Sequence, residues 1–133
     1  MRKKNTTKNF HVLYHQVDQM GVVHHVQYAY FLEQSRIDWL LHQGVRYAAL
    51  EKSGILLPVV DISIQYKRPL HFDDVFLVHT TLTAFERSFI SFSYYIENEL
   101  GVLIANATTR LVFVDANTRK AIKCPEKLYH AFT

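Results

Sequence analysis

From Tyr14 to Tyr28 the chain reads Tyr-His-Gln-Val-Asp-Gln-Met-Gly-Val-Val-His-His-Val-Gln-Tyr. One carboxylate, Asp18, precedes a glycine loop, and that loop runs into a segment of helical spacing. Free N–H groups at a helix start, together with the helix dipole, stabilise negative charge developing on a carbonyl oxygen. A carboxylate beside them can activate water as a general base or attack the carbonyl itself. Gly21 lets the backbone approach a bound acyl group closely. The arrangement suits acyl transfer to water. On spacing alone, an N-cap or turn role is the commoner use of an Asp ahead of a helix. Tyr14 shares strand parity with Asp18, but a regular strand would hold them about 13 Å apart, so they meet only if the chain bends.

Eight histidines are many for this length, and His11, His15, His24 and His25 fall close together. His24 and His25 are adjacent and cannot both face one site. His11 and His15 would lie about 13 Å apart on a strand, too far to share an ion with bonds near 2 Å. His42, His71, His79 and His130 form no constellation. With a single cysteine and no His-x-His, no metal site is expected.

The elements that must position Asp18 follow from periodicity and punctuation. Residues 10–17 are rich in strand formers and predict a first strand. A helix is predicted from about Val26 to Gln43, capped by Gly44. Spacing at 100° puts Tyr28, Phe31, Leu32, Ser35 and Trp39 on one face. Tyr30, Ile37 and Leu41 lie opposite, so the helix is expected to be enclosed. Residues 57–67 alternate in part, with Ile62, Ile64 and Tyr66 on one face. Residues 75–85, 88–98 and 102–114 predict three longer strands joined as antiparallel hairpins, and 125–133 a short final helix. The reading is α+β: one long helix packed on an antiparallel sheet.

The 133 residues suit one domain, and 49% hydrophobic content supplies a core. No apolar run is long enough to span a bilayer, and none follows the basic start as a secretory signal requires. The lone Cys124 excludes an internal disulfide and fits a reducing compartment, so a cytoplasmic location is expected. The formal charge of +3 invites a nucleic-acid reading. Arg2, Lys3, Lys4 and Lys8, however, leave only 11 of the 15 basic residues against 12 acidic ones from residue 9 onward. Residues 1–9 are therefore expected to form a basic flexible tail and 10–133 one domain. No nucleic-acid partner is expected.

Asp-x-x-Gly-Val-Val-x-His-x-x-Tyr followed by Phe-Leu-Glu-x-x-Arg resembles the hotdog-fold acyl-CoA thioesterases of the 4-hydroxybenzoyl-CoA thioesterase class, particularly the YbgC-like subgroup. Ile64 to Leu70, His71-Phe72-Asp73-Asp74 and Leu111 to Asp115 extend the likeness over nearly the whole chain. The resemblance implies an antiparallel sheet wrapped around one central helix and hydrolysis of acyl-CoA to free acid and CoA. Acyl-carrier-protein substrates fit as well. It makes Asp18 the nucleophile or general base, with His25 and Tyr14 at the other active-site spacings. His25 would offer a helix-start N–H to the thioester oxygen while its ring orients substrate or assists thiol departure. Tyr14 suits positioning, since its hydroxyl ordinarily ionises near 10. Gly21, Val22, Val23 and Tyr28 would border the acyl group.

Val26-Gln27 departs from the small or polar residues usual there, which bears on the shape of the acyl pocket. Tyr28, Phe31, Leu32, Trp39 and Leu57 are candidates to line it. For the CoA phosphates, Lys67, Arg68, Arg87 and Arg110 are candidates, with Lys67-Arg68 foremost. Glu33 is expected to pair with Arg36, three residues on. No metal or redox cofactor is required. An exposed sheet edge beside the site implies a dimer, with a tetramer as dimer of dimers favoured. The rival readings are a hotdog hydratase or dehydratase and a non-catalytic acyl-group or partner-binding module.

Overall fold

The computed structural model describes residues 5–133. Strand β1 (Asn5–His11) is followed by a 3-10 turn at Tyr14–Gln16, then α1 (Gln27–His42) and α2 (Tyr47–Lys52). After these come β2 (Ile55–Leu56), β3 (Val59–Tyr66), β4 (Val75–Glu86), β5 (Phe89–Asn98), β6 (Leu103–Asp115) and β7 (Ala121–Ile122). A turn at Glu126–Leu128 leads into α3 (Tyr129–Phe132). The main sheet runs β1-β4-β5-β6-β3, every pair antiparallel, with β2 and β7 on the far end of β6. The expected α+β arrangement, one long helix against an antiparallel sheet, is what the chain adopts.

The first strand lies earlier than the expected 10–17. Residues 5–9 pair with β4, Asn5 opposite Thr81 and Asn9 opposite Leu77, so they are not a flexible tail. Alternation accounts for the change: Thr6 is buried while Asn5 and Thr7 face solvent. Of the four tail cations, Lys8 belongs to this strand, and Arg2, Lys3 and Lys4 fall outside the described residues. Past His11 the chain bends. The Leu13 N–H donates to the buried Gln16 Oε1 at 2.8 Å, closing the turn that replaces the rest of the expected strand.

Helix α1 ends as its sequence requires. Gly44 takes φ +84°, and the Gly44 and Val45 N–H groups return to Leu41 and Leu40 carbonyls, each at 2.9 Å, a Schellman closure. Its inner face, Tyr28, Phe31, Leu32, Ser35, Arg36, Trp39 and Leu40, is buried. Phe31 meets Phe76 edge-on at 4.8 Å, and Trp39 meets Phe92 at 5.0 Å. Each such side chain contributes about 1.5–3 kcal/mol on burial. Truncating Trp39 to Ala would remove about 3–5 kcal/mol.

The enclosure expected for α1 is not achieved by this chain. Tyr30, Ile37 and Leu41 are exposed, because one sheet covers only one side of a helix. The same holds for β3, hydrogen-bonded among the described residues to β6 alone, which leaves Val60 57% and Ile62 45% exposed. The expected strand 57–67 is divided at Leu57-Pro58 into β2 and β3, since proline has no N–H for a ladder. Helix α2 was not anticipated; it is too short to show a helical period.

Candidate active site

The Asp18 loop is a small hairpin. The Asp18 N–H donates to the Val22 carbonyl at 2.9 Å, and Gly21 N–H closes a four-residue turn onto the Asp18 carbonyl at 3.0 Å. Gly21 adopts φ +82° there, which glycine takes without a Cβ penalty. One carboxylate oxygen of Asp18 accepts the Met20 N–H at 2.8 Å, leaving the second oxygen without a protein donor among the described residues. Both the turn role and an available carboxylate oxygen therefore belong to the same side chain.

Two anchors hold this hairpin, one to the segment between β3 and β4 and one to the 3-10 turn. Val23 N–H donates to the Leu70 carbonyl at 2.8 Å, and His24 N–H to the Gln16 carbonyl at 2.9 Å. Residues 67–70 are fixed in turn, since the Lys67 and Arg68 N–H groups both donate to the Ile104 carbonyl, at 2.8 and 3.1 Å. Residues far apart in sequence thus meet around one open cleft of about 390 Å³. Asp18, Val22, Val23, His25, Tyr28, Lys67 and Arg68 line it, together with Tyr66 and Pro69.

At the helix start the two histidines divide the work. His24 Nδ1 accepts the Val26 N–H at 3.2 Å, which places its proton on Nε2 and leaves it as a cap. The Gln27 and Tyr28 N–H groups go to the His24 and His25 carbonyls at 2.9 and 3.3 Å. The His25 N–H has no acceptor among the described residues, and His25 lines the cleft while His24 does not. The His25 ring stacks on His24 at 4.4 Å and meets Tyr66 edge-on at 6.5 Å.

Tyr28 closes the floor. It is 3% exposed, and burial, helped by neighbouring Tyr66, pushes its hydroxyl up to about 12 despite a backbone hydrogen bond at Leu70. It stays a neutral phenol through the ordinary pH range. Tyr66, itself pushed up by burial, is the residue that motif reading passed over as a contact. Alternation places it on one strand face with Ile62 and Ile64, but only the fold reveals what it reaches: its hydroxyl donates to the His25 carbonyl.

Some candidates lie elsewhere. Tyr14 is 77% exposed on its 3-10 turn, edge-on to Phe72 at 5.5 Å, and does not line the cleft. Gly21 sits at the exposed tip of the hairpin, so it shapes the turn without bordering the cleft. Arg87 lies over Tyr129 at 5.8 Å and Arg110 over Phe89 at 4.0 Å; neither borders the cleft, unlike Lys67 and Arg68. Phe31, Leu32 and Trp39 are core residues, and Leu57 lines a second cavity. Glu33 and Arg36 line that cavity too, but they form no ion pair. Arg36 is turned inward while Glu33 is exposed. Among the described residues no group of His, Cys, Asp and Glu is arranged to hold a metal ion.

Known proteins share this frame. Acyl-CoA thioester hydrolase YbgC of Escherichia coli O6:H1 is 27% identical over 91% of this chain and 90% of its own length. YneP of Bacillus subtilis (strain 168), whose name proposes an acyl-CoA thioesterase, is 37% identical over 87% of this chain and 84% of its own. The crystal structure of DHNA-CoA thioesterase from Staphylococcus aureus matches with a TM-score of 0.87 at 31% identity, covering 90% of this chain and 80% of that one. The fold is therefore the hotdog fold of these enzymes. The model of the thioesterase-like superfamily matches residues 12–132, a span that holds the Asp18 hairpin, the central helix and the cation pair, and the chain belongs to that superfamily.

Proposed function

We propose that this chain is an acyl-CoA thioesterase and that the cleft between the Asp18 hairpin and residues 67–69 is where the thioester is cleaved. One observation carries the assignment of the site. Asp18 and His25, the latter just ahead of α1, line the same cleft, and the His25 N–H has no acceptor among the described residues. A thioester carbonyl between them would have its oxygen on the His25 N–H and its carbon open to attack.

With Asp18 as general base, it takes a proton from water while the water oxygen bonds to the carbonyl carbon. The oxyanion rests on the His25 N–H, aided by the positive end of the α1 dipole. The C–S bond then breaks, and the departing thiolate takes up a proton to leave CoA-SH and the free acid. With Asp18 as nucleophile, its oxygen bonds to the carbonyl carbon, the C–S bond breaks and the CoA thiolate leaves to take up a proton; water then hydrolyses the mixed anhydride, giving the free acid and restoring the Asp18 carboxylate. In either course Lys67 and Arg68, exposed at the cleft rim, supply charge to the CoA phosphates. The reaction as written draws on no metal or redox group. Tyr14, exposed and outside the cleft lining, is assigned a positioning role towards incoming substrate, and the His25 ring one at the leaving thiol.

The open cleft, the single-sided cover of α1 and the bare edge of β3 support an assembly, and we favour a tetramer built as a dimer of dimers. Cys124 is buried and unpaired, and among the described residues no helix is long and apolar enough to cross a membrane. A cytoplasmic site of action fits both. The test is thiol release from acyl-CoAs of graded length, wild type beside Asp18→Asn. Release by wild type and a loss of about 10²–10⁴ in the variant are expected. Equal activity would remove Asp18 from the mechanism, and change at an acyl double bond without thiol release would favour a hydratase.

A further inference from the structure

A second cavity of about 350 Å³ opens beneath the middle of α1, bounded by the start of β3 and by β5 and β6. It shares no lining residue with the cleft at Asp18. Its walls are mostly apolar, Leu40, Leu57, Ile90, Phe92 and Leu111 among them. Arg36 also lines it and is only 9% exposed.

That arginine lacks an anion. Among the described residues no carboxylate lies within salt-bridge distance of its guanidinium. Among the described residues its one hydrogen bond is a long one, Nη1 donating to the Tyr94 hydroxyl at 3.5 Å, and that hydroxyl is already engaged with Thr109 Oγ1 at 2.7 Å. A guanidinium carries five N–H donors in a planar fork. No guanidinium nitrogen of Arg36 is both sealed from solvent and unbonded, so the donors not used by Tyr94 are open to an anion bound in the cavity.

We propose that this cavity is a binding site for a small apolar monocarboxylate, its carboxylate on the Arg36 fork and its flat body against Leu40, Phe92 and Leu111. The chemistry narrows the class. A planar carboxylate matches the fork with two parallel hydrogen bonds. Apolar walls reject a hydrated phosphate, and the exposed Glu33 carboxylate at the rim disfavours a dianion. Tyr47, which also lines the cavity, is held neutral because burial pushes its hydroxyl up, so it can donate to the same anion. A cavity near 150 Å³ takes up benzene, so this one has room for a body of about two rings. Binding does not depend on the thioesterase assignment, although the acid is of the kind that thioester hydrolysis releases.

The test compares 2-naphthoate with its neutral isostere 2-naphthamide by calorimetry on the full chain. The wild type should bind the acid at least about tenfold more tightly than the amide, the loss expected when one charge-assisted pair is removed. Arg36→Met should abolish that preference. It should melt close to wild type, because no ion pair is lost with the guanidinium. Lys67→Ala/Arg68→Ala should keep the preference, since those cations border the other cleft. Equal binding of acid and amide by wild type overturns the proposal without recourse to any variant. So does a preference that survives Arg36→Met, or one that disappears with Lys67 and Arg68.

Discussion

The Tyr66 hydroxyl donates to the His25 carbonyl oxygen at 3.1 Å, tying the last residue of β3 to a residue that lines the cleft and whose N–H has no acceptor among the described residues. The same ring packs edge-on against Tyr28 at 5.0 Å. Sheet and helix start are therefore held together at the point where carbonyl polarisation is proposed. Tyr66→Phe keeps the ring and removes one hydrogen bond, worth about 1 kcal/mol. Because Tyr66 acts through His25, kcat should fall about fivefold with little change in KM. A rise in KM at unchanged kcat would make Tyr66 a binding contact instead.

The His25 ring and the His25 N–H are separable. His25→Ala deletes the ring, with its stack on His24 at 4.4 Å, but keeps the N–H at the helix start. Its kcat should drop by no more than about tenfold, against about 10²–10⁴ for Asp18→Asn. Single-turnover measurements on both variants give the comparison directly. A His25→Ala loss as deep as that of Asp18→Asn would place the ring, not the N–H, at the centre of the chemistry.

Lys67 and Arg68 should act on the nucleotide and not on the acyl group. Lys67→Ala/Arg68→Ala should raise KM for acyl-CoA about tenfold or more and flatten its dependence on salt. Hydrolysis of the matching N-acetylcysteamine thioester, which lacks phosphates, should change little. Parallel losses on both substrates would mean that the pair shapes the cleft itself.

Gly21 tests the turn. At φ +82° an added Cβ meets no atom within 4 Å, so the cost of Gly21→Ala is backbone strain alone, about 1–2 kcal/mol. Thermal melting should show the loss. Gly21→Asn should lose less, because asparagine tolerates the left-handed region.

Tyr28 gives a pH signature. Its hydroxyl is raised from 10.0 to about 12 by burial, so the folded state keeps a proton that the unfolded chain releases. The stabilising contribution is full below pH 10 and declines as pH rises from there towards about 12. Urea midpoints should fall less steeply in Tyr28→Phe than in wild type between pH 9.5 and 11.5. Identical slopes would show that the phenol is not desolvated as its position implies.

Much of the frame was legible in the linear chain. Gly44 and the apolar spacing marked α1 to within a residue at each end. Alternation and short polar separations marked β4, β5 and β6 equally well, because hairpin pairing is local. The Asp18-Gly21 loop announced itself because a lone carboxylate, a glycine and a helix start fall within a few residues. Periodicity also placed the buried face of α1, since 3.6 residues per turn is a property of the backbone and needs no partner.

What the tertiary structure alone decided were relations between segments. That β1 begins at Asn5 depends on β4 being there to pair with it. That Lys67 and Arg68 reach the Asp18 cleft while Arg87 and Arg110 do not follows from the Ile104 carbonyl, far along the chain, holding residues 67 and 68. The Glu33–Arg36 pair, plausible on an isolated helix, gives way because α1 buries Arg36 and leaves Glu33 in water. A local motif names the groups that can react; only the three-dimensional pairing of distant strands fixes which of them share a cavity and which, like Arg36, meet no carboxylate among the described residues.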